Sequence, residues 1–232
     1  MKKLNIVYED KNLLAVNKQP GLLTINTDKN HHSLYEEASM YVKKQFPKNK
    51  VFIVNRLDKD TSGIVLFAKN KTLKEQLQKN WNSIAKRYYY AIVNGKTNKQ
   101  ESLKNYLLED KYFNVYESPK GKLCLTDYKL IKYNHPYSLL DVSIKTGRKN
   151  QIRVQLSLIN HPIIGDKKYH SKKNPLNRLG LHNYKLEIEV PGYKKTLVFE
   201  TKMPKEFQEV ICKEFKKSLP KQDMQVEEMP KN

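Results

Sequence analysis

The sequence predicts an α+β fold in which a mixed, largely antiparallel central sheet is flanked by helices. Residues 64–68 are apolar on both faces, as in a central strand that is covered on each side. Residues 184–190 alternate strictly between apolar and charged side chains, which is typical of a strand with one buried face. Segments with helical spacing lie between such strands, so the helices are expected to pack on the sheet.

The first half of the chain gives further strand and helix signals. Short strands are predicted at residues 4–8 and 12–17, where apolar residues predominate. A capping-box signature, Ser33-x-x-Glu36, predicts a helix over about residues 34–45. After the central strand, a second such signature, Thr72-x-x-Glu75, predicts another helix.

The second half is richer in strands. Apolar residues alternate with polar ones at residues 140–144, so this strand belongs to the antiparallel part of the sheet. Residues 150–159 have helical spacing. A last helix is predicted to begin at Pro204 and to carry Phe207 and Phe215 on one face.

One domain and a tail are expected. From about Lys217 onward the sequence is charged and poor in apolar residues, as in segments that cannot bury enough surface to fold. We therefore expect a single domain over residues 1–216 and a disordered tail over residues 217–232.

The charge of the chain indicates a polyanionic partner. The 44 Lys and Arg residues against 24 Asp and Glu give a formal net charge of +20. A solvated basic surface without a partner is the alternative, and charge alone does not separate RNA from DNA or from an anionic membrane. The same charge discourages self-association at low salt, so we expect a monomer.

Composition also bears on compartment and metal binding. No run of residues approaches the roughly 18 consecutive apolar residues of a membrane-spanning helix, and the start lacks the apolar region of a secretory signal. We therefore expect a cytoplasmic protein without a membrane partner. Cys124 and Cys212 lie far apart, which argues against a disulfide framework and a thiolate zinc site. No metal site is expected.

Three polar segments stand out as candidates for chemistry. Residues 55–63 directly precede the central strand and would present side chains at a sheet edge; a plain surface turn is the alternative. Residues 145–153 combine a glycine turn, several cations and a helix start, which together suit an anion; a solvated helix face is the alternative. Three adjacent tyrosines in residues 86–95 fit core packing or a stacking platform for a base.

Together these segments resemble the RluA-type family of pseudouridine synthases over about residues 5–200. The resemblance is carried by residues 55–63 (NRLDKDTSG) continuing to Ala68-Lys69, and by residues 146–153 (TGRKNQIR). Further matches in the family's order lie at residues 16–21, 89–95, 161–166 and 179–182. Asn55 and Asn150 stand where the family usually has His, so a role of those histidines in RNA positioning or packing would be altered here.

The resemblance implies a pseudouridine synthase fold and the isomerisation of uridine in RNA without a cofactor. It assigns Asp58 as the catalytic carboxylate, Arg153 as its partner and Tyr89 as the ring that stacks on the uracil. The matched motifs do not include the S4-like RNA-binding domain that many relatives possess, so we expect RNA binding to rest on this domain. The candidates for RNA contact are Lys18, Arg56, Lys145, Arg148, Lys167 and Lys168. The expected partner is a stem-loop of rRNA or tRNA.

Two other functions compete with this interpretation. A glycoside-type hydrolase would use Asp58 and Asp60 as an acid/base pair and would release free uracil from RNA. A non-catalytic RNA-binding protein on the same fold would bind RNA without forming pseudouridine. An Asp58→Asn variant that still binds RNA but forms no product would favour the synthase.

Overall fold

An eleven-stranded sheet organises the part of the chain that the structure, a computed structural model, describes: residues 4–26 and 32–212. The strands are β1 (Ile6–Glu9), β2 (Leu13–Lys18), β3 (Phe52–Ile53), β4 (Ser62–Ala68), β5 (Ala85–Asn94), β6 (Gln100–Glu109), β7 (Val115–Glu117), β8 (Lys122–Asn134), β9 (Tyr137–Ile144), β10 (Leu181–Ile188) and β11 (Leu197–Glu200). The helices are α1 (Leu34–Gln45), α2 (Lys71–Lys79), α3 (Trp81–Ile84), α4 (Gln151–Leu158) and α5 (Lys205–Cys212).

The sheet is mixed and mostly antiparallel. Its strand order is β1-β2-β4-β10-β5-β9-β8-β6-β7, while β3 pairs with β4 and β11 with β10. The pairing of β10 with β4 is parallel, and the others are antiparallel. The predicted fold class is therefore confirmed, and the parallel contact joins the strand after the Asp58 loop to the middle of the sheet.

Strand β4 separates two layers of core. All seven of its residues are buried; Val65 and Phe67 point into the core that holds α1 and α4, whereas Ile64 and Leu66 point into the core that holds α2. Helix α5 packs against Ile92, whose side chain lies on the face of β5 opposite the α1 and α4 core. We call the side of the sheet covered by α1 and α4 the front face.

Helix α1 forms where its capping box predicts. The Ser33 hydroxyl accepts a hydrogen bond from the Glu36 amide, and the Glu36 carboxylate accepts one from the Ser33 amide. These two bonds satisfy amide groups that a helix start otherwise leaves without partners. The helix then buries Leu34, Ala38 and Val42 in the front core.

The second capping prediction was wrong in detail. Asn70, not Thr72, caps α2: its side-chain oxygen accepts from the Leu73 amide at 2.8 Å. Asparagine is as good an N-cap as threonine or better, and here it precedes the helix by one residue. Trp81 lies beyond α2 and begins the short helix α3.

The structure describes only part of the C-terminal segment for which a helix and a tail were predicted. Helix α5 follows Pro204 and buries Phe207 and Ile211, as expected. Phe215 and the predicted tail at residues 217–232 lie outside the described residues. Within residues 4–26 and 32–212, no helix has the length and apolar character needed to cross a membrane.

Candidate active site

The loop that joins β3 to β4 carries Asp58 on the front face. Thr24, in the segment between β2 and α1, fixes this loop, since its hydroxyl donates to the Leu57 carbonyl at 2.8 Å and accepts from the Leu57 amide at 3.2 Å. The Asn55 side-chain oxygen accepts from the Leu66 amide of β4 at 2.7 Å. In this chain, therefore, the residue at the first family histidine position ties the loop to the central strand.

Lys18 also holds this loop. Its side chain is buried at 1% exposure, and its ammonium donates to the carbonyls of Gln19, Leu22 and Lys59 at 2.8–3.1 Å. Burial lowers its pKa to about 8. We expected Lys18 to contact RNA; its geometry instead supports a role in positioning the loop, because all three donor directions are already directed at carbonyls.

Arg153 on α4 reaches Asp58 from the other side. Its Nη1 atom lies 3.4 Å from Asp58 Oδ2 and 2.9 Å from Asn150 Oδ1. Its Nε and Nη2 atoms donate to both carboxylate oxygens of the fully buried Asp166 at 2.7 and 2.9 Å. Such a paired arrangement fixes the plane of the guanidinium. The Asn150 amide also donates to the Tyr169 hydroxyl at 2.9 Å.

The charges around Arg153 keep it protonated. Burial alone lowers the pKa of the guanidinium, but the hydrogen bonds and charge of Asp166 and the charge of Asp58 raise it overall. A permanently charged group thus stands beside the Asp58 carboxylate, of which about a third is exposed. Asn150, the second departure from the family pattern, orients Arg153 and has the positive φ of 54° that asparagine tolerates well.

The three adjacent tyrosines of β5 do not share a face. Tyr89 points into the front core, whereas Tyr88 and Tyr90 point to the opposite side of the sheet. There Tyr90 stacks on Tyr184, with 3.9 Å between the ring centroids. The packing interpretation of the tyrosine run therefore holds for Tyr90, and Tyr89 stays the candidate for the stacking platform.

The Tyr89 hydroxyl stays protonated at neutral pH. Burial raises its pKa to about 12, and the charge of Asp58 adds to this rise while that of Arg87 opposes it.

A groove of about 1010 Å³ runs along the front face between the Asp58 loop and α4. Five of the residues proposed from the sequence line it: Arg56, Asp58, Tyr89, Arg148 and Arg153. Arg56 and Arg148 are exposed. These five residues bring a carboxylate, an aromatic ring and three cations to the groove.

Three other proposed RNA contacts do not line this groove. Lys145 pairs with Asp127 at 3.1 Å, and Lys168 donates to the Phe113 carbonyl at 2.8 Å. Lys167 is exposed. If these lysines contact RNA, they do so outside the groove.

The match to known families decides the assignment. The family model for RNA pseudouridylate synthase matches residues 12–158, which is more than half of the chain. The chain belongs to the RNA pseudouridylate synthase family.

Relatives agree with this assignment, and a solved structure shares the fold. Ribosomal large subunit pseudouridine synthase D of Borreliella burgdorferi is 36% identical over 217 residues, covering 87% of this chain and 66% of the relative. An uncharacterized RNA pseudouridine synthase of Mycoplasma genitalium is 34% identical, covering 88% of this chain and 68% of the relative. The chain therefore spans about two thirds of the length of these relatives. Human RNA pseudouridylate synthase domain containing 4 shares the fold, with a TM-score of 0.73 at 22% identity, covering 88% of this chain and 90% of that chain.

Several residues that line the groove or position its side chains were not predicted from the sequence. Asp166 belongs to the matched segment 161–166, yet its bond to Arg153 was not foreseen. Arg87 lies on the same face of β5 as Tyr89, which could have been predicted because residues two apart on a strand point to the same face. Trp81 and Phe113 line the groove from outside any matched motif and gave no signal.

Proposed function

We propose that this pseudouridine synthase converts uridine in rRNA or tRNA to pseudouridine, with Asp58 as the catalytic carboxylate and Arg153 and Tyr89 as its partners. The observation that carries the proposal is the position of the Asp58 carboxylate. It lies 3.4 Å from the Arg153 guanidinium in a groove that Tyr89 also lines.

The reaction balances without a cofactor. The N1–C1′ bond breaks, the uracil turns, and a C5–C1′ bond forms. The proton on C5 leaves and N1 gains a proton, so no electrons are gained or lost. The Asp58 carboxylate serves this chemistry either as a nucleophile at the sugar or as a base, and the Arg153 guanidinium 3.4 Å away holds it in the groove.

Tyr89 is proposed as the ring on which the extruded uracil stacks. Extrusion of a base costs a few kcal/mol, and stacking on an aromatic ring returns about 1–3 kcal/mol. With a pKa of about 12, the hydroxyl holds its proton near neutrality, which favours stacking over removal of the C5 proton as its contribution. Arg56, an exposed residue of the Asp58 loop that lines the groove, is proposed to occupy the gap in the RNA or to bind a phosphate.

The proposed substrate is a stem-loop of rRNA or tRNA. The name of the Borreliella burgdorferi relative refers to the large ribosomal subunit, which favours rRNA as the substrate. We further propose that the protein acts as a cytoplasmic monomer and that residues 1–216 form the catalytic domain. Mapping pseudouridines in total RNA from cells with and without the gene identifies the modified uridine, and an unchanged map would contradict the proposed substrates.

The catalytic assignment is tested with Asp58→Asn beside Asp60→Asn. Both changes remove a carboxylate from the same loop, but Asp60 is exposed and does not line the groove. We expect Asp58→Asn to bind RNA and form no pseudouridine, and Asp60→Asn to retain activity.

Two results would contradict the assignment. Equal product from Asp58→Asn and the parent would remove Asp58 as the catalytic carboxylate. Loss of activity in both variants together with release of free uracil by the parent would favour the hydrolase that pairs the two carboxylates.

A further inference from the structure

Arg87 is a buried guanidinium on the wall of the groove. Its side chain leaves β5 on the same face as Tyr89, is only 5% exposed and lines the groove. Its Nη2 atom donates to Asn82 Oδ1 at 3.0 Å and lies 3.4–3.5 Å from the carbonyls of Ile144 and Lys145. Its Nε atom is buried without a hydrogen-bond partner.

No carboxylate compensates this charge within residues 4–26 and 32–212. The ion pairs of this part of the chain do not include Arg87, in contrast to Arg153, which has Asp166 and Asp58. Burial lowers the pKa of Arg87, yet an arginine keeps its proton in proteins. A buried and unpaired charge is destabilising by several kcal/mol, so such a group usually has an anionic partner.

The space around the guanidinium is kept open by a glycine. A Cβ atom at Gly147 would lie 2.5 Å from Arg87 Nη1, so any larger residue there would displace the guanidinium. Gly147 and the exposed Arg148 both line the groove beside it. A second cation, one residue beyond Gly147, therefore lines the same groove, and no acidic side chain forms an ion pair with either cation among the described residues.

We propose that Arg87, with Arg148 beside it, binds a backbone phosphate of the RNA whose uridine stacks on Tyr89. The phosphate supplies the negative charge that the protein does not provide, and the guanidinium offers unused donors for its oxygens. The inference rests on the proposed function, since it requires RNA in the groove. Because Tyr89 and Arg87 are two residues apart on one strand face, the phosphate lies close to the target nucleotide.

The test measures binding rather than product. Arg87→Gln is made in the Asp58→Asn background, and its affinity for a short oligouridylate is measured by fluorescence anisotropy at several salt concentrations. Lys86→Gln is the matched control, since Lys86 is an exposed cation on the same strand with its side chain on the other face. Because catalysis is not required, failure of the catalytic assignment leaves this test intact.

We expect Arg87→Gln to bind roughly tenfold to a hundredfold more weakly, as for the loss of a charge-assisted hydrogen bond. The slope of log affinity against log salt is negative, and its magnitude should decrease by about 0.7, the value for one phosphate on a single strand. Lys86→Gln should leave both quantities unchanged. On a methylphosphonate oligouridylate, which keeps the bases but lacks the charges, Arg87→Gln and its parent should bind equally.

Two outcomes would overturn the proposal. An unchanged salt slope, or a difference in affinity that persists on the methylphosphonate oligomer, would mean that Arg87 contacts a base or sugar. Thermal unfolding distinguishes phosphate binding by Arg87 from a purely structural role. If Arg87 only supports the fold, Arg87→Gln should lower the Tm and leave the salt slope alone, whereas removing an unpaired buried charge should not lower the Tm.

Discussion

At the scale of single residues, the candidate site depends on side chains that hold Asp58 and Arg153 in position. Asp58 and Arg153 come from segments that matched a family motif, and the spacing of the chain says nothing about how their 3.4 Å contact is maintained. Asp166 and Asn150 maintain it by taking three of the hydrogen bonds of the guanidinium. These partners of Arg153 could not be predicted from the local sequence, because the contact with Asp166 forms only when the loop at residue 166 packs against α4.

Asp166→Asn should therefore destabilise the protein and slow the reaction. The Asp166 side chain is fully buried, and removing one member of a buried ion pair leaves the other charge uncompensated, at about 3–5 kcal/mol. Urea unfolding measures the loss, and pseudouridine formation under folding conditions measures the effect on rate. Glu75→Gln, which breaks the exposed pair of Glu75 with Lys71, should change stability by less than about 1 kcal/mol. Similar losses in both variants would contradict the role of Asp166.

Lys18 shows what the sequence could not reveal at this scale. A lysine in a matched motif of a basic protein was interpreted as an RNA contact, because sequence does not report burial. Its ammonium is in fact enclosed by carbonyls. Burial lowers the pKa of Lys18 from 10.5 to about 8; Asp60 and Asp58 oppose that change, and Arg178 adds to it.

This lowered pKa predicts a stability that rises with pH. Below about pH 8 Lys18 is charged in both the folded and the unfolded state, so the full penalty for burying the charge is present. Between pH 8 and 10.5 the unfolded state binds more protons, so the penalty diminishes as the pH rises. Relative to Lys18→Met, the free energy of unfolding of the parent should increase by about 2 kcal/mol between about pH 7 and 9.5. A difference between the two proteins that is constant with pH would contradict this account.

At the scale of elements, helix α4 is fixed to the sheet by polar contacts. The fully buried Gln155 side chain accepts from the Thr126 hydroxyl at 2.7 Å and donates to Asn105 Oδ1 at 2.9 Å. Gln151 donates to Thr126 Oγ1 at 2.9 Å. Because these directional bonds connect α4 with β6 and β8, they set the position from which Arg153 reaches Asp58.

Gln155→Leu should weaken this connection. It leaves the buried Thr126 hydroxyl without the acceptor of its proton and the half-buried Asn105 Oδ1 without its donor, and an unsatisfied buried group is destabilising by about 1–3 kcal/mol. We expect a lower free energy of unfolding in urea and slower pseudouridine formation, with RNA affinity less affected because the groove cations remain. Leu158→Gln, a change at an exposed position of the same helix, serves as the control. Equal stability of the two variants would show that the helix is held by its apolar contacts alone.

Elements with a strong periodicity were predicted, and weakly patterned ones were not. The bounds of α1 and the position of β4 follow from a capping box and from an apolar run. Strands β6 and β8 gave no clear signal. In β6 only Leu103 and Leu107 are buried, a spacing of four that does not indicate a strand, and most side chains of β8 beyond Tyr128 are not buried. Their pairing with each other and with β9 decides their conformation.

At the scale of the whole molecule, the fold class and the excess of positive charge were both readable from the sequence. The mixed, mostly antiparallel sheet was predicted from alternation in a few strands, but the order of eleven strands was not, because pairing between distant segments leaves no local pattern. Net charge likewise indicates a polyanion without locating its binding surface. We propose the groove around Asp58 as that surface, because unpaired cations line it.

The distribution of charge in the groove predicts how RNA binding depends on salt. Among the described residues, four groove cations form no ion pair with a carboxylate: Arg56, Lys59, Arg87 and Arg148. If each neutralises one phosphate, log affinity should fall with log salt with a slope of about −3, so that raising salt from about 50 to 200 mM weakens binding roughly sixtyfold.

Two double variants test this dependence. Arg56→Gln with Arg148→Gln should reduce the magnitude of the slope by about 1.4, the amount for two phosphates on a single strand. Lys48→Gln with Lys195→Gln removes the same charge from exposed positions that do not line the groove, and should leave the slope nearly unchanged. Because both pairs lower the net charge equally, an equal loss of slope would mean that RNA responds to the overall charge of the molecule and not to the groove.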